Sequence, residues 1–202
     1  MPRPRPYAVA EAMIGVLALQ GDVAEHARLI GRAGGETRPV RRARELTGLA
    51  GLIIPGGEST TIGKLLVVFE LYDELRAAIK DGLPVLGTCA GMIMLADRIV
   101  GGTEDQRTLG GIDMVTRRNA FGRQVDSFEA DLDVRGLDDP FRAVFIRAPW
   151  VERVGPGVEV LASYQGHPVA VRQGNLWATS FHPELTGDPR LHAAFLSAAA
   201  VQ

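Results

Sequence analysis

Short apolar runs separated by amphipathic stretches constrain this chain more than any other feature of its sequence. "IGVLAL" (14–19), "GLIIP" (51–55) and "PVLGT" (84–88) each end in glycine, proline or polar turn residues. Buried parallel strands read this way, because both of their faces are covered and the polar alternation of a half-exposed strand is lost. Between them, residues 22–33 carry Val23, Ala27, Ile30 and Ala33 at helical spacing. Residues 60–80 read as one further helix with Ile62, Leu65, Leu66, Phe69 and Leu75. The order βαβα implies an α/β fold, a parallel sheet covered by helices with its functional loops at the carboxyl ends of the strands.

The second half changes character. "FEADLDV" (128–134), "AVFIRAP" (143–149), "VEVLASY" (158–164), "PVAVRQG" (168–174) and "LWATSF" (176–181) are strand-like with turns between them, and a final helix runs from about Pro189 to Ala200. The expected architecture is therefore an open mixed sheet in three layers, mainly parallel in its N-terminal half. With 202 residues and no repeat or linker, the chain reads as a single domain over 14–202. Residues 1–13 lack the apolar stretch of a signal peptide and read as a disordered extension, with Met13 an alternative start.

Charge and cysteine usage narrow the function classes. Lys and Arg number 22 against 24 Asp and Glu, interspersed rather than blocked, which argues against an obligate nucleic-acid binder. The cluster Arg41, Arg42 and Arg44 reads as a solvated loop or helix start. No apolar run approaches the roughly 18 residues of a membrane span. One cysteine forms no internal disulfide and no metal cluster, which suits a reducing cytoplasm.

That cysteine, Cys89, lies in "GTCAGM" between an apolar strand and an apolar helix. The pattern is a nucleophile elbow, glycine two residues before and two after the nucleophile. Gly87 and Gly91 fit because the elbow strains the nucleophile's backbone and larger side chains would strike neighbouring elements. The start of the helix favours a thiolate. A lone cysteine is ordinarily a small buried hydrophobe, so the elbow needs a base before it implies chemistry.

Of the four histidines, His26 and His192 fall on expected helices as surface or packing residues, and His167 sits in a hairpin turn. His182 follows the strand "LWATSF" in "FHPEL", where an extended local conformation would place Glu184 on the same side as the ring. Cys89, His182 and Glu184 thus supply nucleophile, base and orienting acid. For the oxyanion, Ala90 offers the N–H after the nucleophile, and "PGGES" (55–59), with Gly56 and Gly57, offers a second donor from a neighbouring strand end. The same loop also reads as a glycine turn in which Ser59 or Thr60 caps the next helix.

Together, "PGGEST", "GTCAGM" and "FHPE" resemble the class I glutamine amidotransferases. With "GVLALQGDVAEH", "RRNAFGRQVDSFE", "VFIRAPW" and "FHPELTGD", the chain from about Ile14 onward is similar to the glutaminase subunits of pyridoxal phosphate synthases. The resemblance implies a flavodoxin-like fold and hydrolysis of L-glutamine through a cysteinyl thioester. It implies delivery of ammonia to a barrel-type synthase subunit in a large hetero-oligomer. It places Gly57, Glu58, Ser59, Arg118, Ile146 and Arg147 around the glutamine. No metal or organic cofactor is expected; pyridoxal phosphate would be the product made at the partner.

Residue chemistry fits those positions. Arg118 or Arg147 suits the α-carboxylate and Glu58 the α-ammonium, while Arg117 reads as outward-facing on a strand. A glutaminase serving another synthase, such as that of imidazole glycerol phosphate, shares the triad but leaves "RRNAFGRQVDSFE" unexplained. A catalytically silent docking subunit has no need of an intact triad.

Overall fold

The structure, a computed structural model, describes residues 12–121 and 127–201. The expectation of a disordered extension therefore falls largely outside the described residues, as does the centre of the "RRNAFGRQVDSFE" block. The first strands are β1 (Met13–Leu17), β2 (Glu36–Val40), β3 (Gly51–Ile54) and β4 (Val85–Thr88). The first helices are α1 (Val23–Arg32), α2 (Ser59–Val68), α3 (Tyr72–Lys80) and α4 (Ala90–Leu95). There follow β5 (Ala96–Val100), β6 (Ile112–Arg117), β7 (Ser127–Leu132), β8 (Phe141–Ile146) and β9 (Trp150–Val154). The chain closes with β10 (Glu159–Tyr164), β11 (His167–Gln173), β12 (Leu176–Thr179) and α5 (Arg190–Ala200).

Seven strands form the central sheet in the order β10-β11-β12-β4-β3-β1-β2. From β2 to β12 every pairing is parallel; β10-β11 and β11-β12 are antiparallel. The apolar runs explain the burial on both faces. Leu52 and Ile54 of β3 face a core shared with Ile62, Leu66 and Leu75 of α2 and α3. Ile53, with Ile14 and Val16 of β1, faces the opposite core, shared with Ile30 of α1 and Phe195 of α5. Strand side chains alternate between faces, so a run apolar at every position is what a two-sided sheet requires.

Several expectations change in detail. The single helix over 60–80 is two helices, broken where Glu70 takes a left-handed backbone (φ 57°) and Leu71 turns back into the core. Phe69, expected on the buried face, is 46% exposed at this break. In α1 the fully buried positions are His26, Leu29 and Ile30, with Val23 and Ala33 only packed against the core edge. The run after Cys89 is helical only to Leu95 and continues as β5. The strands β7 and β8 form their own two-stranded ribbon, and β5, β6 and β9 a separate small sheet, so neither group extends the central sheet. Among the described residues, no helix is long and apolar enough to cross a membrane.

Candidate active site

The loops after β1, β3, β4 and β12 carry the residues of interest, and these four strands are neighbours in the sheet. Their carboxyl ends therefore gather positions that are far apart in sequence. Gln20, Gly56, Gly57, Glu58, Ser59, Cys89, Ala90 and His182 line one cleft with Arg118, Ile146 and Arg147, of about 580 Å³. Every expected catalytic or substrate-binding residue lies on it except Glu184, which is buried behind His182.

Cys89 has φ 50° and ψ −103°, a strained conformation for a residue with a Cβ. Two close approaches enforce it. A Cβ on Gly87 would lie 2.5 Å from the Gly91 backbone, and one on Gly91 would lie 2.2 Å from the Ile54 carbonyl oxygen. The elbow is pinned to β12 by the Cys89 amide, which donates to the Thr179 carbonyl at 2.8 Å. The thiol is nearly buried, with Sγ 3.9 Å from the Ile146 carbonyl oxygen.

His182 is held by its backbone N–H, which donates to the Val144 carbonyl of β8 at 2.8 Å. Its Nδ1 lies 2.7 Å from Glu184 Oε1, and Glu184 is fully buried. An extended segment would bring this carboxylate to the ring by strand alternation. In the structure Pro183–Leu185 is instead a 3-10 turn, and the turn, not strand alternation, brings Glu184 under the ring. Burial alone would depress the His182 pKa; hydrogen bonding to Cys89 and then Glu184, with the attraction of both charges, raises it to about 10. That direction favours the protonated ring.

Gly56 leaves room for this contact: a Cβ there would sit 2.4 Å from His182 Cε1 and 3.4 Å from Cys89 Cβ. Gly57 adopts φ 146°, a backbone that a side chain would strain. Ala90 opens α4, where the first N–H groups have no partner within the helix.

The α2 cap differs from expectation. Neither Ser59 nor Thr60 provides it; the Glu58 carboxylate accepts from the amides of Thr60 (3.2 Å) and Thr61 (2.8 Å). Ser59 Oγ instead accepts from Gln106 Nε2 at 2.8 Å. Glu58 also pairs with Arg118 at 2.7 Å, so two residues expected at opposite ends of a ligand neutralise each other here. Arg118 further donates to Gln106 Oε1 at 2.8 Å. Partial burial would raise the Glu58 pKa, but the Thr61 and Thr60 amides, the Thr61 hydroxyl and Arg118 together lower it. Arg147 is exposed on the cleft with φ 42°, and Arg117 points outward to pair with Glu152, as expected.

Three participants were missed. Gln20 Oε1 accepts from the Glu58 amide at 2.7 Å, Gln106 braces Ser59 and Arg118, and His26 stands behind Glu184. Gln20 and His26 both lie in "LALQGDVAEH", but an amide and a helical histidine carry no spacing signal that marks them. His167 begins β11, where its ring stacks on Trp150. Asp22, His182 and Glu184 bring ligand-type atoms within 4.8 Å of one another, but His182 and Glu184 already bond to each other.

Comparison with known proteins shows which family the chain resembles. Residues 16–201 match the SNO glutamine amidotransferase family. The chain is 64% identical to the pyridoxal 5'-phosphate synthase subunit PdxT of Frankia alni over 91% of this chain and 92% of the relative. It is 62% identical to the protein of that name from Streptomyces coelicolor, over 91% of each. A crystal structure of a glutamine amidotransferase superposes with a TM-score of 0.87 at 55% identity, covering 92% of this chain and 98% of the other. By sequence, fold and the cleft these residues line, the chain belongs to the SNO glutamine amidotransferase family.

Proposed function

We propose that this chain is the glutaminase subunit of a pyridoxal 5'-phosphate synthase, hydrolysing L-glutamine to L-glutamate and supplying ammonia for vitamin B6 biosynthesis. The observation that carries the reading is the strained Cys89 sharing the floor of one polar cleft with His182, whose Nδ1 is held at 2.7 Å by the buried Glu184.

The Cys89 sulfur attacks the amide carbon as thiolate, and the N–H groups of Gly57 and Ala90 receive the developing oxyanion. The protonated His182 gives its proton to the departing nitrogen, so ammonia leaves as the C–N bond breaks and the thioester forms. Neutral His182 then removes a proton from water, whose oxygen attacks the thioester. Collapse releases glutamate and restores thiolate and imidazolium. Glu58, Ser59, Arg118, Ile146 and Arg147 form the wall that receives the amino-acid end of glutamine. Arg118 is already shared among Glu58 and Gln106, so the exposed Arg147 is the better placed cation for the α-carboxylate. The receiving partner is a barrel-type synthase subunit, in a cytoplasmic hetero-oligomer.

Ammonia released into water is protonated and lost to the synthase, so hydrolysis is useful only with a partner docked. The isolated chain is accordingly a poor glutaminase. The paired glycines permit such a switch, since a peptide unit there rotates at little steric cost, and one missing oxyanion donor lowers the rate roughly a hundredfold to a thousandfold. Glutamate formation is measured for the chain alone and during titration with the synthase subunit. Activation on mixing is expected. No glutaminase activity in either condition would overturn the function, and full activity alone, unchanged on mixing, would overturn the latency.

A further inference from the structure

The polar contacts do not stop at Glu184. Its second oxygen, Oε2, is buried without a hydrogen-bond partner of ordinary geometry among the described residues, and His26 Nε2 of α1 stands 3.4 Å from it. His26 is fully buried; its Nδ1 lies 2.8 Å from His192 Nε2 of α5, itself fully buried, and its Nε2 also lies 3.3 Å from Thr88 Oγ1 of β4. His192 Nδ1 has no hydrogen-bond partner among the described residues.

These contacts fix the protons. Suppose His26 carried its proton on Nδ1 and donated to His192. Its bare Nε2 would then face a carboxylate oxygen, lone pair against negative charge, and His192 would hold a proton on Nδ1 with no acceptor, a buried orphan donor. With the proton on Nε2, His26 donates to Thr88 Oγ1 at 3.3 Å and sets the same N–H beside Glu184 Oε2, 3.4 Å away, while Nδ1 accepts from His192 Nε2–H. The only orphan left is an unprotonated ring nitrogen, the cheaper failure. Burial, reinforced by the nearby His192 and His182, keeps His26 well below the ordinary histidine range, so the ring is neutral.

Resting on the triad reading above, we propose that His26 is a positioning residue for the glutaminase reaction: held in one tautomer by His192, it turns its Nε2 proton to Glu184 and fixes the carboxylate that orients His182. The row runs His192, His26, Glu184, His182, Cys89, each N–H directed toward the nucleophile's end up to the carboxylate. It ties α5 and α1 to the turn at Pro183–Leu185. The His26 side chain reaches neither the cleft nor the thiol, so its effect belongs to turnover and not to substrate affinity.

The test uses the complex with the synthase subunit and reads kcat and KM for glutamine. His26→Leu removes the N–H; His26→Gln keeps a donor near the Nε2 position. Loss of such an outer partner typically costs roughly ten- to a hundredfold. His26→Leu is expected to lose kcat by that factor with KM unchanged, and His26→Gln to recover part of it. Native kcat in His26→Leu would overturn the proposal, as would a loss confined to KM. Where circular dichroism shows that both variants fail to fold, histidine nitrogen NMR of the native chain decides. A neutral Nε2–H tautomer at His26 supports the assignment, and an Nδ1–H or doubly protonated ring overturns it. Cys89→Ala and His182→Asn are run in parallel. If they keep activity, the triad itself falls; if they are inactive while His26→Leu is native-like, only the role of His26 falls.

Discussion

Substituting alanine at two glycines only 35 positions apart in sequence should separate catalysis from stability. At Gly56 the new Cβ would meet His182 Cε1 at 2.4 Å, against the 3.4 Å at which ordinary contact begins, so the ring must retreat by about 1 Å. The obstacle is a side chain, and the Gly56 φ is not among the positive values, so the backbone accepts alanine without strain. A misplacement of about 1 Å at the reacting groups costs roughly a hundredfold in rate. At Gly91 the new Cβ would meet the Ile54 carbonyl oxygen at 2.2 Å, and backbone inside the sheet has nowhere to go. Overpacking of this kind costs about 1–3 kcal/mol, which for a chain of this size lowers the melting temperature by roughly 2–12 °C. The assay pairs glutamate formation in the reconstituted complex with thermal unfolding of the free chain. Gly56→Ala should lose activity and melt near the native temperature, while Gly91→Ala should melt clearly lower. Native kcat in Gly56→Ala would refute the claim that this glycine exists to admit the imidazole.

Cys89→Ala or Cys89→Ser should abolish ammonia release from glutamine while externally supplied ammonia still drives synthesis in the complex; loss of that second activity would mean Cys89 acts beyond the glutaminase step. His182→Asn should remove nearly all turnover, and Glu184→Gln should leave more, because it orients the base without exchanging the substrate proton; single-turnover assays measure both. The pH dependence has a definite sign. His182 is raised in the folded chain to about 10 from an ordinary 6.5, so its contribution to stability is complete below about 6.5 and is lost as pH rises through about 10. Unfolding free energy followed across that window should therefore fall toward that of Cys89→Ala, and ring NMR should show His182 titrating lower in the variant; an unchanged titration would refute coupling through the sulfur.

The inner strands of the central sheet were legible because strands buried on both faces are almost wholly apolar, as "GLII" is. The strands missed, β2 ("ETRPV"), β5 ("ADRIV"), β6 ("IDMVTR") and β9 ("WVERV"), mix polar with apolar positions, and their pairing is decided by neighbours distant in sequence. The break between α2 and α3 escaped notice because no glycine or proline marks it; Glu70 takes the left-handed backbone itself. At the site, Cys89, His182 and Glu184 were readable because elbow glycines and a His-Pro-Glu run are local patterns. Arg118, Ile146 and Arg147 were not, since the loops after β6 and β8 reach the cleft from outside the central sheet. Resemblance alone assigned them. The histidines 26 and 192 read as surface or packing residues; both are buried, and the polar contact between them depends on two helices 166 positions apart packing together.

The Glu58–Arg118 pair bears on how the cleft accepts a zwitterion. Each charge was expected to meet one end of glutamine, yet the two neutralise each other at 2.7 Å, with the carboxylate also capping α2. Such a pair is partly exposed, 17% on the arginine side and 48% on the glutamate side, so it is weak and readily exchanged. It also limits the cost of an empty site, because neither charge waits unpaired for substrate. An entering α-ammonium can share Glu58 without evicting Arg118, since a carboxylate has two oxygens and accepts several donors. On the proposed function, the α-carboxylate would meet the exposed Arg147 on the same cleft. The wall thus presents charges of both signs, with Arg118 braced by Gln106 and Glu58 by the start of α2. On the proposed function, selectivity for an amino acid over a simple amide would follow from that arrangement, because an amide lacking the two charged groups would gain nothing from it.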